Sequence, residues 1–382
     1  MTSSQSVSNA PPLHVAIFIP SFGDGGVERG VVHTARGLTD LGVRVDFITA
    51  HSDQPYLSEL STHVALIEIG GDATDQTSYR WFVDYLKNTP PDVVLSAKDR
   101  AHATAVAARD QTGVATRIVM RASTVVSRRH RATRFWRRMA EYREMRRILP
   151  RADLMIAVSR GVAEDTAQIA GVPEARIRAI PSPVITPELT EFASQPVTHP
   201  WLVDKTCPVV LAGGGLRRQK GFDDLLRAVA IARRTQALRL IVVGTGRLRR
   251  RLERLAAKLG ISEHVDFMGF VANPYPLIAA ADLFALSSRW EGAPTIVTEA
   301  VALGRKVVAT RCGSGPGEIL ADNPYARIVP VGVPKQFAAA VTEALAWPTP
   351  PHDMLRQSVR DYTLEVSAER YRDVLSALVA TT

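Results

Sequence analysis

The stretch HVAIFIPSFGDGGVERG, residues 14–30, runs from an apolar strand through a glycine-rich turn toward a helix. Its first nine residues, His14 to Phe22, are almost wholly apolar. That pattern fits a strand covered on both faces better than one that alternates between core and solvent. Gly23, Gly25 and Gly26 follow, and a helical pattern runs from about Val27 to Leu41. Strand, glycine turn and helix in that order open a parallel sheet with helices on both faces. The helix start presents unpaired N–H groups and a positive dipole end, which suits a phosphate. The dinucleotide fingerprint G-x-G-x-x-G is not met, because Glu28 stands three residues after Gly25. A plain tight turn is the alternative for this loop taken alone.

The same alternation continues outward. VRVDFITA (43–50), HVALIEI (63–69), VVLSA (93–97), TRIVMR (116–121) and DLMIAVS (153–159) read as further strands, with helical stretches between most of them. It breaks between Ile180 and Pro200, where prolines stand at 181, 183, 187, 196 and 200. It restarts with PVVLAGG (208–214), LRLIVVG (238–244), VDFMGF (265–270), LFALS (283–287) and KVVAT (306–310). A helical stretch from Met354 to Ala380 ends the sequence. The expected division is a first Rossmann-like domain over 1–185, a linker over 186–205, a second over 206–352, and a C-terminal helix over 353–382 packing back toward the first.

Composition bounds the function. At 382 residues, 46 % hydrophobic and 22 % charged, the chain has the balance of a water-soluble globular protein of two domains. The lead MTSSQSVSNAPP is polar, with no basic or apolar segment of a secretion signal, and reads as a loose tail. No apolar run is long enough to span a membrane. Cys207 and Cys312 have no metal-type spacing and fit structural thiols in a reducing cytoplasm. The net charge of +9 is local: twelve arginines and two glutamates fall between Arg117 and Arg151, leaving the rest nearly neutral. A uniformly basic nucleic-acid binder is therefore not expected. A face for an acidic surface or substrate is.

Open parallel sheets bind ligands at the carboxyl ends of their strands, so the residues there carry the chemistry. LAGGGLRRQKGF leaves a strand with Gly213, Gly214 and Gly215, then places Arg217, Arg218 and Lys220 in one short loop. Cations held beside backbone N–H groups suit a diphosphate, although a solvated charge run has the same composition. VVGTGRLRRRL repeats the strand–glycine–helix unit with Gly244 and Gly246. SSRWEGAPTIVTEAVALG places Glu291 and Glu299 eight residues apart. Pro294 fits a first helical position, which puts Glu291 in the loop before the helix and Glu299 in its second turn. Two acids so placed can grip two hydroxylated parts of one ligand. A pair of helix-surface glutamates is the plainer alternative.

Together these segments resemble the retaining glycosyltransferases of the GT-B fold, family 4 or group 1 type, over nearly the whole chain. EGAPTIVTEA resembles the family's paired-glutamate motif and LRRQKGF its phosphate-binding lysine loop. VVGTGRL is similar to its second glycine turn, FMGF to the stretch before the base, and GDGGVER to its acceptor-side loop. The resemblance implies a GT-B α/β fold, two Rossmann-like parallel-sheet domains facing each other across a cleft, with the acceptor on the first domain and the nucleotide sugar on the second. It implies that Lys220 holds the donor diphosphate, Glu299 the ribose, and Glu291 the transferred sugar, helped by N–H groups in the stretch from Gly292 to Thr295, those of Gly292, Ala293 and Thr295, with Pro294 as the turn residue. Gly214, Gly215, Arg217 and Gly246 then line the donor, the backbone around Phe270 meets the base, and Gly25 and Gly26 approach the diphosphate. Lys220, Glu291 and Arg218 are the catalytic candidates.

Two positions depart from the family. Gly215 replaces the arginine of a G-R-L triplet, leaving Arg217 or Arg218 to supply the charge. The region VMRASTVVS has no histidine before His130, leaving Arg121 or Ser123 for that role. The implied reaction is retaining, with front-face departure of the leaving nucleotide. UDP is favoured by overall resemblance alone. No cofactor and no metal are expected, since cations and helix ends face the diphosphate and no Asp-x-Asp occurs. The expected acceptor is a sugar or lipid-linked precursor. A sugar-nucleotide epimerase of the same shape is the nearest rival, with a nucleic-acid or acidic-surface binder more distant. Finally, RRHRATRFWRRMAEYREMRRIL mixes arginines with Phe135, Trp136, Met139, Tyr142 and Met145. It reads as an interfacial helix presenting Arg134, Trp136, Arg137 and Arg138 to an anionic membrane. The expected place is cytoplasmic, peripheral on the inner face of the cell membrane.

Overall fold

A computed structural model describes residues 11–23, 25–70, 75–129, 134–313 and 315–381. It contains two parallel sheets. The strands of the first are β1 (His14–Phe18), β2 (Arg44–Thr49), β3 (Ala65–Glu68), β4 (Val93–Ala97), β5 (Arg117–Ala122), β6 (Leu154–Ala157) and β7 (Ile177–Ala179). Their order is β3-β2-β1-β4-β5-β6-β7. The second sheet holds β8 (Val209–Gly213), β9 (Arg239–Val243), β10 (Val265–Gly269), β11 (Leu283–Leu286), β12 (Val307–Thr310) and β13 (Ala326–Val329). It runs β10-β9-β8-β11-β12-β13. This is the GT-B α/β architecture.

The near-continuous apolar runs have a direct cause in the second sheet. Val209 and Leu211 enter one core layer with Phe284 and Val297, while Val210 and Ala212 enter another with Phe222 and Leu226. Ile241 and Val243 divide from Leu240 and Val242 in the same way. Successive side chains point to opposite faces, and both faces are covered, so every position must be apolar. Each such burial contributes about 1.5–3 kcal/mol.

Two strands have no counterpart in the sequence reading. β7 is three residues long with one buried side chain, and β13 is a partly exposed edge strand. Neither carries an apolar run. The C-terminal helix is also not continuous. Helix His352–Ser358, a 3-10 turn Arg360–Tyr362 and helix Leu364–Ala380 replace it. The break is imposed by pairing: Val184 and Ile185 N–H groups donate to the Tyr362 carbonyl, and Leu364 N–H donates to the Ile185 carbonyl.

The chain divides into two compact units, one formed by 1–121, 147–155 and 368–382, the other by 122–146 and 156–367. These boundaries do not coincide with the division read from the sequence. Nor is the proline-rich segment 186–205 a bare connector. It forms helices Leu189–Ala193 and Pro200–Val203 and buries Leu189 and Leu202 in the core layer of Leu277 and Ile278. Among the described residues no helix is long and apolar enough to cross a membrane.

Candidate functional site

In the second unit the glycine turns after β8 and β9 are pressed together. A Cβ on Gly244 would lie 2.2 Å from the Gly214 carbonyl oxygen, and one on Gly246 would lie 2.6 Å from that of Leu216. Leu216 N–H donates to the Thr245 carbonyl at 2.7 Å. Only glycine permits this approach, and both turns use positive φ, 130° at Gly214 after β8 and 130° and 156° at Gly244 and Gly246 after β9.

Two cationic side chains fold back over the β8 turn. A Cβ on Gly214 would lie 2.8 Å from Lys220 Cε, and one on Gly215 would lie 3.3 Å from Arg217 Nε. Lys220 Nζ donates to Glu291 Oε1 at 2.7 Å, with the lysine side chain 20 % and the glutamate side chain 8 % exposed. Ser288 Oγ donates to the same oxygen at 2.7 Å, and Gln219 Nε2 donates to Glu291 Oε2 at 3.2 Å. The lysine loop is clamped from below by Arg289, whose guanidinium grips Asp223 and Asp224 and donates to the Arg218 carbonyl at 2.8 Å. Burial alone raises the Asp223 carboxyl, but the hydrogen bond and charge of Arg289 outweigh it and hold the pKa below its ordinary value.

Glu291 leads into the turn before helix Thr295–Ala302. Pro294 caps this helix rather than filling its first position, with φ −73° and ψ 100° and no side-chain cap bond. An extended ψ cannot belong to a helical residue, so the helix starts one residue later than expected. Gly292 is held tightly: a Cβ there would lie 2.2 Å from the Ser123 carbonyl oxygen, and Ser159 Oγ donates to the Gly292 carbonyl at 3.0 Å. Ala293 and Thr295 are half-buried beside it. Behind the turn, burial first and then the Glu291 charge push the Cys312 thiol up to about 12. Glu299 is buried in the helix, and Tyr275 Oη donates to its Oε1 at 2.9 Å.

The structure therefore brings Lys220 and Glu291 together beside Gly214 and Gly215, with Gly246 packed on the same turn. Glu299 sits apart from that pair, with Tyr275. Phe270 is 66 % exposed after the positive-φ Gly269. Arg217 and Arg218 are exposed. Gly25 and Gly26, in the first unit, form the cap and first residue of helix Gly26–Asp40. Gly25, together with Gly23, borders a carboxylate: Cβ atoms on Gly23 and Gly25 would each lie 3.0 Å from an oxygen of Glu28. Arg121 is 2 % exposed and donates from Nε to Tyr371 Oη, so its side chain is committed to the C-terminal helix. His130 and Arg131 lie outside the described residues.

Sequence reasoning missed Gln219, Ser288 and Tyr275. The first two flank Lys220 and Glu291 in their motifs and were open to notice. Tyr275 lies 24 residues from Glu299 and has no local signal. Of the basic stretch, helix Phe135–Ile148 forms. Met139, Tyr142 and Met145 are half-buried, so that stripe packs on protein, while Phe135 and Trp136 are 65 % and 62 % exposed. Arg134 and Arg138 lie over these rings at 5.3 and 5.6 Å. Arg134 and Arg137 are exposed and Arg138 half-buried. Among the described residues, no three His, Cys, Asp or Glu side chains group as a metal site.

Comparison with known proteins identifies the family. Residues 24–187 match the family model described as Glycosyltransferase Family 4, and residues 207–346 match Glycosyl transferases group 1. The lipopolysaccharide core biosynthesis glycosyltransferase LpsE of Rhizobium meliloti is 35 % identical over 139 residues, which are 36 % of this chain and 40 % of LpsE. The chain thus spans about two fifths of that relative's length. The N-acetylgalactosamine-N,N'-diacetylbacillosaminyl-diphospho-undecaprenol 4-alpha-N-acetylgalactosaminyltransferase of Campylobacter jejuni is 27 % identical over 326 residues, 83 % of this chain and 86 % of that protein. Among solved structures, Anabaena HepE in complex with UDP superposes with a TM-score of 0.77 at 19 % identity, covering 96 % of this chain and 100 % of HepE. With the fold shared and both halves matched by family models, the chain belongs to the family 4, group 1 glycosyltransferases.

Proposed function

We propose that this protein moves a sugar from a nucleotide-sugar donor, a UDP-sugar, to a hydroxyl of a lipid-linked or polysaccharide precursor, with retention at the anomeric carbon and without a metal. The observation that carries the reading is the Lys220–Glu291 pair at 2.7 Å against the glycine turn, in the chain of a glycosyltransferase family. The named activity of the Campylobacter relative, an alpha transfer to a diphospho-undecaprenol-linked sugar, supports a lipid-linked acceptor. The UDP in the HepE crystals is that protein's own; its choice for this chain rests on resemblance.

In this reading the anomeric C–O bond to the β-phosphate breaks and a new C–O bond forms to the acceptor oxygen on the same face. The acceptor's proton passes to the departing phosphate oxygen. The protein's task is to place positive charge and N–H dipoles where leaving-group charge develops. Lys220 supplies one cation. Arg217, folded over Gly215, supplies the charge that the family carries at that place, and Arg218 is the solvent-facing cation beside it. The uncapped N-terminus of helix Thr295–Ala302 adds its dipole. Glu291 accepts from hydroxyls of the transferred sugar and Glu299 from the ribose, while Phe270 flanks the base. The exposed Phe135 and Trp136, with arginines over their rings, seat the protein on an anionic membrane at the inner face of the cell, where lipid-linked acceptors are held.

A nucleotide-release screen over sugar nucleotides, with and without lipid-linked acceptors, tests this. Release that needs both a donor and an acceptor is the expected result. A donor that is isomerised or hydrolysed with no acceptor requirement replaces the transferase reading with an epimerase.

A further inference from the structure

The loop after β11 holds the lysine turn by its backbone. Residues Arg218–Lys220 form a single 3-10 turn, and each of their three carbonyl groups accepts a hydrogen bond from that loop. Arg289 Nη1 donates to the Arg218 carbonyl at 2.8 Å, the Arg289 N–H to the Gln219 carbonyl at 2.6 Å, and Ser287 Oγ to the Lys220 carbonyl at 2.8 Å. The next residue, Gly221, has φ 63°, and a Cβ there would lie 2.1 Å from the Ser287 carbonyl oxygen. The carbonyl end of the turn, its negative end, therefore rests directly on the loop.

Arg289 brings a cation to that negative end. Its half-buried guanidinium also donates from Nη2 to both oxygens of Asp223 at 2.9 Å and to Asp224 Oδ2 at 2.8 Å. These two carboxylates stand in the first turn of helix Phe222–Ala232, which follows Gly221 directly. One guanidinium thus joins the lysine turn to the start of the next helix, while Lys220 Nζ reaches away to Glu291. Anchoring the helix would need only the carboxylates, and a partly exposed ion pair of that kind contributes little stability. The added bond to the Arg218 carbonyl uses the fork of an arginine, since lysine offers one nitrogen where this contact uses two.

We propose that Arg289 is a positioning residue for the donor diphosphate, acting through Lys220 rather than on the nucleotide. It fixes the turn from which the Lys220 side chain rises, and Ser287 assists by holding the Lys220 carbonyl. Nζ stands at the end of a long stem, so a tilt of the turn moves the ammonium farther than it moves the backbone. Stabilising a leaving phosphate requires a cation held in place beforehand, and a displacement of about 1 Å forfeits much of the effect. The inference rests on the glycosyltransferase reading and deepens it by naming what holds the cation of the leaving group.

The test is a double-mutant cycle in the full chain, with Arg289→Lys, Lys220→Ala and the two combined. Calorimetry follows UDP, GDP and UMP, and circular dichroism follows thermal unfolding. Arg289→Lys keeps a positive charge beside Asp223 and Asp224, so the chain should stay folded. It should bind the preferred nucleoside diphosphate about tenfold more weakly, as misalignment of one charge-assisted bond implies, and UMP nearly as before. In the Lys220→Ala background the same change should alter diphosphate affinity less than about twofold, because a residue that acts through Lys220 has nothing left to position. Ser287→Ala carries the same expectation of selective weakening, so loss of the fold in one variant leaves the other to decide. Wild-type diphosphate affinity in folded Arg289→Lys overturns the positioning role. An equal loss in the presence and absence of Lys220 also overturns it, as does an equal loss for UMP. A wild-type chain that binds neither UDP nor GDP overturns the donor reading itself and the positioning role with it.

Discussion

Lys220 Nζ and Glu291 Oε1 stand 2.7 Å apart, joining the loop after β8 to the loop after β11. The pair does more than neutralise charge. The lysine stem lies against Gly214, where a Cβ would be 2.8 Å from Lys220 Cε, and Ser288 and Gln219 fix the carboxylate from two further directions. The ammonium is thereby aimed before any phosphate arrives, which is the condition for electrostatic stabilisation without reorganisation.

Lys220→Ala should lower turnover about 100- to 1000-fold, the usual loss for one donor to a developing anion. Glu291 keeps Ser288 and Gln219, so the chain should remain folded. Steady-state rates together with a circular dichroism melt check this, and near-normal turnover in a folded variant would remove Lys220 from the mechanism.

Glu291→Gln and Glu299→Gln should separate kinetically. A ribose contact exists equally in ground and transition states, so Glu299→Gln should raise the donor KM and spare kcat. Glu291 touches the group in transit, so its variant should lower kcat. Donor-varied kinetics that show the opposite pattern would exchange the two roles.

Arg217→Ala should weaken UDP binding about tenfold or more while leaving UMP nearly unaffected, because a charge-assisted bond to the second phosphate is lost. Arg218→Ala should change both far less. Gly215→Arg combined with Arg217→Gly should restore UDP affinity by returning the guanidinium to the place it already overhangs. Calorimetry with the two nucleotides decides. A failed restoration with an intact fold would show that Arg217 acts elsewhere.

Cys312 should resist alkylation. Burial, reinforced by Glu291, pushes its thiol up to about 12, so the nucleophilic thiolate is scarce throughout neutral pH and appears only as pH rises toward that value. Mass spectrometry after maleimide treatment of the folded chain at pH 8 should find label on the half-buried Cys207 and none on Cys312. Unfolding should make both react.

Anionic liposomes should retain the protein at low salt and release it as salt rises, since each basic residue near such a surface contributes about 1 kcal/mol. Arg134, Arg137 and Arg138 changed to glutamate should reduce retention, and Trp136→Ala should reduce the part that survives salt. Sedimentation assays that find no retention at low salt would leave the helix a purely structural one.

Much of this protein was legible locally. Apolar runs such as Val209 to Gly213 announce a strand covered on both faces, and the glycines behind them announce loops that approach something closely. Lys220, Glu291 and Glu299 stood out because their motifs place charge at the ends of such strands. β7 and β13 were not legible, because three or four residues at a sheet edge need no apolar pattern. Nor was the break at Tyr362, since its cause is pairing with Val184 and Ile185, far back in the chain.

The sequence by itself determined the strand and helix alternation, the glycine turns and the types of residue at the strand ends, because periodicity and backbone freedom are properties of neighbouring residues. The tertiary structure alone decided which of them meet. It set Lys220 on Glu291, Tyr275 on Glu299, and Lys98 against Glu28 beside Gly23 and Gly25. Those meetings follow from the order of strands in a sheet, which brings loops tens of residues apart to one edge, and no local pattern in the chain encodes that distance.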